Sequence, residues 1–95
     1  MAVFGRREIV MYTAEELKAI EEVEKYLNEN ELYHDEVWIV DGYLKIHISW
    51  GDWKHDHARC DYLMEQLGYV CVSEMVTDED GSDCYSALHK YLKRV

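Results

Sequence analysis

This chain has no proline, a single phenylalanine, five glycines and half as many basic side chains as acidic ones. Without proline there is no Pro-rich linker, and no low-complexity segment divides the 95 residues, so a single compact domain spanning 1–95 is expected. A domain of that size has little room for both a stable core and an enclosed substrate cavity. Ten Lys and Arg against 20 Asp and Glu give a formal net charge of −10, which repels nucleic-acid phosphates and disfavours direct DNA or RNA binding. The uninterrupted apolar runs are far too short to span a bilayer, and the polar faces are acidic where an anionic membrane would favour basic ones. The three cysteines, Cys60, Cys71 and Cys84, include no Cys-x-x-Cys pair, and the opening residues lack the apolar run of a secretory signal. A reducing, cytoplasmic setting is the expectation. No Gly-x-Ser-x-Gly, phosphate-binding loop or dinucleotide fingerprint is present.

What is present is enough apolar material to fold: 48% of residues are hydrophobic, with eight tyrosines and three tryptophans, which argues against disorder despite the charge. Residues 1–12 read as an irregular N-terminal strand or arm. Thr13 and Glu16 have capping-box spacing, and Leu17, Ile20, Val23 or Glu24, and Leu27 follow as one helical stripe that ends around Asn28-Glu29-Asn30. Val37–Val40 and Tyr43–Trp50 flank Asp41-Gly42, a two-residue hairpin signal. With that turn Ile39 pairs with Leu44 and Val37 with Ile46, placing Val37, Ile39, Leu44, Ile46, Ile48 and Trp50 on the core face and His47 away from it. Asp52 caps a second predicted helix from Trp53 to Leu67, stopped by Gly68. Strands from Tyr69 to Val76 and from Cys84 to about Leu92 complete the chain across the polar turn 77–83. The predicted fold is α+β: two successive αββ units, with a mainly antiparallel four-stranded sheet and two helices on one face.

Gly51 to Asp61 (GDWKHDHARCD) is the densest group of metal-ligating side chains. His57 and Cys60 stand three apart, a spacing at which two ligands on one helix can share a Zn2+ ion, and Asp56 with Cys60 is a second such pair. His55 projects in a different direction from His57. Candidate ligands are therefore His57, Cys60, Asp56 and His55, with His47, Cys71, Cys84, Asp83 or His89 as the remaining donors of a structural zinc site. The alternative is plain packing, because Trp53, His57, Cys60, Met64 and Leu67 also form an apolar-facing helical stripe. Asp78-Glu79-Asp80-Gly81-Ser82-Asp83 is not a calcium-binding EF-hand loop, since Asp83 and His89 fall where glycine and glutamate are required.

Glu15, Glu21, Glu22 and Glu29 lie mainly on the outer side of the first helix, and Asp78, Glu79, Asp80 and Asp83 make the last turn a second acidic patch. Such carboxylates can stand in for phosphates in a basic groove of another protein, with Trp38, Tyr43 or Tyr62 as anchors. In size, acidity, αββ organisation and the Asp52–Asp61 cluster, the chain resembles small phage-encoded anti-CRISPR proteins that act on type II systems. The resemblance implies a non-enzymatic inhibitor of a type II CRISPR effector nuclease, bound at a nucleic-acid channel or DNA-loading surface, with any metal structural. It carries over no individual residues. A metal-binding accessory or regulatory domain with another protein partner is the alternative. A small metal-dependent hydrolase, with metal near His57 and Cys60 and Asp56 or His55 moving protons, ranks third.

Overall fold

A computed structural model of the chain describes residues 11–79 and 84–94, with backbone alone at 53–54, 77–79 and 84–85. Helix α1 (Ala14–Glu29) is followed by β1 (Glu36–Val40) and β2 (Tyr43–Asp52). A turn of π-helix (Trp53–His57) then runs into α2 (Ala58–Gln66), and β3 (Tyr69–Glu79) and β4 (Cys84–Lys93) follow. The architecture is the expected α+β fold of two αββ units, and its four antiparallel strands lie in the order β1-β2-β4-β3. Both helices bury residues in one apolar cluster on a single face of the sheet, Val23 and Leu27 from α1 and Cys60, Leu63 and Met64 from α2. Among the described residues no helix is long and apolar enough to cross a membrane. Of the expected N-terminal arm, residues 1–10 lie outside the described part and Met11 and Tyr12 have no regular structure.

Local chemistry accounts for the first unit. The Thr13 hydroxyl accepts from Glu16 N–H at 3.0 Å and the Glu16 carboxylate from Thr13 N–H at 2.9 Å, a reciprocal capping box. Val23 and Leu27 are buried, whereas Leu17 is 48% exposed: the core stripe begins a turn later than the periodicity suggests, with Ile20 packed against the cluster. At the hairpin, Asp41 and Gly42 both take positive φ, as a type I′ turn requires, and the register is the expected one, Ile39 opposite Leu44 and Val37 opposite Ile46.

The second half of β2 departs from expectation. Pairing with β4 shifts between Ile48 and Gly51, and Trp50 sits at φ 60° with most of its surface in solvent. This irregularity breaks the period-two alternation, so Trp50 leaves the core face to which strict alternation assigns it. Gly51 instead turns inward. A Cβ there would lie 2.8 Å from His57 Nε2 and 2.9 Å from Ile48 Cγ2.

Candidate metal centre

Alternation along β4 sends Ala87, His89 and Tyr91 into the core, opposite Ile48, Ile46 and Leu44 of β2. His89 is thus carried to the middle of the sheet and is fully buried. The π-helical turn places His57 beside it, also buried, with Nδ1 at 2.7 Å from His89 Nε2 and the ring planes 13° apart. On its other edge, His89 Nδ1 faces Asp61 Oδ1 at 3.4 Å, Glu74 Oε1 at 3.6 Å and the Tyr91 hydroxyl at 3.3 Å. Tyr91 donates to Asp61 Oδ1 at 2.6 Å, and the Cys60 sulfur lies 3.2 Å from the same hydroxyl.

Burial drives the electrostatics of this cluster. It opposes the charge of Asp61, yet hydrogen bonds from His89, Glu74 and Tyr91 outweigh it and hold that carboxyl well below its usual range. Glu74 is pushed up to about 8, first by burial and then by the hydrogen bond and negative charge of Asp61. Burial lifts the Cys60 thiol to about 12 and raises the Tyr91 phenol, so both are neutral. Two adjacent carboxyls behind a buried imidazole can share a proton or take up a cation. Asp61, Glu74 and His89 each offer one ligand atom, and these atoms lie within 4.8 Å of one another: the group can hold a metal ion.

The ligand set expected from the helix is placed differently. His57 commits Nδ1 to His89 and packs Nε2 against Gly51, and Cys60 meets Tyr91, so the two do not form a shared chelate. Asp56 Oδ2 instead accepts from Asp52 N–H at 2.7 Å, and exposed His55 donates its backbone N–H to Asp52 Oδ1 at 3.0 Å. These bonds fasten the π-helical turn to the end of β2. Asp61 and Glu74 are the residues missed. Asp61 stands four after His57, a helical spacing that signals a common face. Glu74 gives no signal in a regular strand.

Elsewhere, Glu15, Glu21, Glu22 and Glu29 are all exposed on α1, as expected. Asp80 and Asp83 of the acidic turn lie outside the described residues, and Asp78 and Glu79 are described as the backbone end of β3. Between α1 and the hairpin runs an open groove of about 560 Å³, with Glu15, Glu16 and Glu22 on one wall and Ile39, Leu44 and Tyr69 on the others. Burial, and the negative charge of Glu22, raise the Tyr69 phenol.

No protein family, curated protein or solved structure matches this chain.

Proposed function

We propose that this chain is a non-catalytic acidic binding protein that inhibits a nucleic-acid-handling protein by occupying its basic surface. One observation carries the reading: α1 buries Val23 and Leu27 while holding Glu15, Glu21, Glu22 and Glu29 in solvent beside a groove with an apolar and aromatic floor. The 16-residue helix spans about 24 Å, a length over which a nucleic acid presents many phosphates. Carboxylates along it attract a basic groove and steer its approach, beside a floor where the chain's own Lys93 already stands over Tyr69. The resemblance to anti-CRISPR proteins nominates a type II CRISPR effector nuclease as that partner.

The test is co-purification with a guide-loaded effector followed by a DNA-loading assay. The wild-type chain should bind and block loading. A variant carrying Glu15→Lys, Glu21→Lys, Glu22→Lys and Glu29→Lys should fold and lose both effects, and the wild-type association should weaken as salt rises. Unimpaired inhibition by the reversed variant would refute the acidic helix as the contact.

The histidine–carboxylate cluster is read as a structural zinc site within the same molecule. Ligand nitrogen and oxygen atoms about 2.0–2.2 Å from a tetrahedral zinc stand about 3.3–3.6 Å apart. The separations from His89 Nδ1 to the two carboxylates, 3.4 and 3.6 Å, match that edge. The surroundings are those of a ligand set: His89 Nε2 is engaged by His57 and Asp61 by Tyr91, fixing ring and carboxylate orientation. A metal-binding regulatory domain with another partner rests on the same cluster, and partner identification separates it from the inhibitor.

A further inference from the structure

We infer that Cys71 is the fourth ligand of this site, completing a Cys-Asp-Glu-His set for tetrahedral zinc. The inference rests on the reading of Asp61, Glu74 and His89 as a metal site. In a regular strand, residues 71 and 74 would project to opposite faces, since alternation has a period of two. In β3 they do not. Cys71 pairs with Tyr91 and Glu74 with His89, both core-facing partners, because the ladder shifts register between Cys71 and Ser73 and absorbs Val72 as an extra residue. The bulge re-aims one side chain relative to the other and brings a thiol and a carboxylate to the same spot over β4.

There the Cys71 sulfur lies 4.0 Å from Glu74 Oε1, while its thiol donates to the Ser73 carbonyl at 3.6 Å, a bond that ligation would break. A thiolate and a carboxylate on one tetrahedral zinc stand about 3.6 Å apart, a few tenths of an ångström closer than here. Half-buried Cys71 sits at the outer side of the cluster, where Asp61 and Glu74 also keep some exposure. His89 closes the inner side, and an ion entering from solvent would meet the thiol and carboxylates first. Three anionic ligands and one imidazole leave a dication site with a net charge of only −1. Cys60 is the discriminating control, being deeper and held by the Tyr91 hydroxyl.

Cobalt(II) reports both geometry and sulfur ligation. The full chain, stripped of metal and kept reduced, is titrated with Co2+ and then with Zn2+. Wild type should take up one cobalt with the intense visible bands of a tetrahedral ion and a near-ultraviolet thiolate-to-cobalt charge-transfer band, which zinc abolishes. Cys71→Ser should lose the charge-transfer band and weaken binding by more than about 100-fold, beyond the 10–100-fold typical of losing a partner outside the ligand set. Cys60→Ser should keep the band. A tetrahedral wild-type spectrum without charge transfer, or a band that survives Cys71→Ser, would overturn Cys71 as a ligand while leaving the three-residue site standing. Wild type that binds neither metal would overturn the site itself.

Discussion

The two αββ units use the same elements in the same order, yet they close their halves of the core by different means. In the first, Val23, Leu27, Val37, Leu44 and Ile46 pack as hydrocarbon on a hairpin with regular pairing, and polar groups are confined to caps and edges. In the second, α2 and β4 enclose His57, His89 and Tyr91 with the edges of Asp61 and Glu74, and β3 pairs with β4 through two shifts of register. A hydrocarbon core tolerates small rearrangements at the cost of packing alone. A buried polar network has every member's satisfaction tied to its neighbours, so it fails together and in a defined geometry. The first unit is thus a scaffold that presents the acidic helix, and the second holds a specific chemical group in place.

The sharpest way to break this contrast is truncation in each half. His89→Ala should destabilise the metal-free protein by about 3–5 kcal/mol in denaturant unfolding, since it opens a cavity and leaves His57 and the carboxyl pair without their shared partner. Leu27→Ala should cost about 2–5 kcal/mol by cavity formation alone. The two differ in repair. His57→Leu added to His89→Leu should recover the part of that variant's loss that comes from the unpaired His57, whereas no single partner change rescues Leu27→Ala.

The glycines offer a finer comparison. Gly51→Ala should cost about 1–3 kcal/mol through overpacking against His57 and Ile48 and should shift the His57 ring signals in an NMR spectrum. Gly42→Ala meets nothing within 4 Å and should cost about 1–2 kcal/mol, from the left-handed backbone at φ +84° alone. Thr13→Ala, which removes the cap of α1, should cost about 1 kcal/mol by thermal unfolding and leave the histidine signals unmoved.

Asp35 in the first unit and Glu74 in the second should respond to pH with opposite signs. Burial opposes ionisation of Asp35, but hydrogen bonds from Tyr33 and Ser49 and the nearby His47 outweigh it and lower its pKa below 3.8. Its stabilising contribution is therefore present above about pH 4 and lost as pH falls through the lowered value. Glu74 has the opposite sign. Its carboxyl is raised from 4.5 to about 8, so its contribution is full below about 4.5 and lost as pH climbs to 8 in the metal-free chain. Asp35→Asn should reduce the slope of the acid limb of a stability–pH curve, which Asp61 shares, and Glu74→Gln should flatten the limb between about 5 and 8.

Regularity decided what could be read from the residues. Asp41-Gly42 dictates a turn with one favoured pairing, so the register of Val37 and Ile39 was legible, as was the Thr13–Glu16 cap. Trp50 and Glu74 were not, for the same reason: a register shift reverses which face a side chain occupies, and neither strand carries a residue pattern that announces it. Of the group Asp61, Glu74 and His89, only His89 was legible, as one of several possible donors from other elements, and the ligand set expected around His57 does not come together. Which donors meet depends on the π-helical turn and on the bulge at Val72, both settled by tertiary packing.

The central claim is that the second unit's polar core is built around a metal ion. Its most direct test is the unfolding transition of the full chain, stripped of metal and measured with zinc or with chelator. Zinc at about 100 times its dissociation constant should add about 2.7 kcal/mol, which for a domain of this size raises the midpoint by roughly 10–20 °C. The Asp61→Asn, Glu74→Gln double variant should show no such rise. Coincident wild-type transitions with and without zinc would contradict the claim and leave His57, His89 and the carboxyl pair as a purely hydrogen-bonded core.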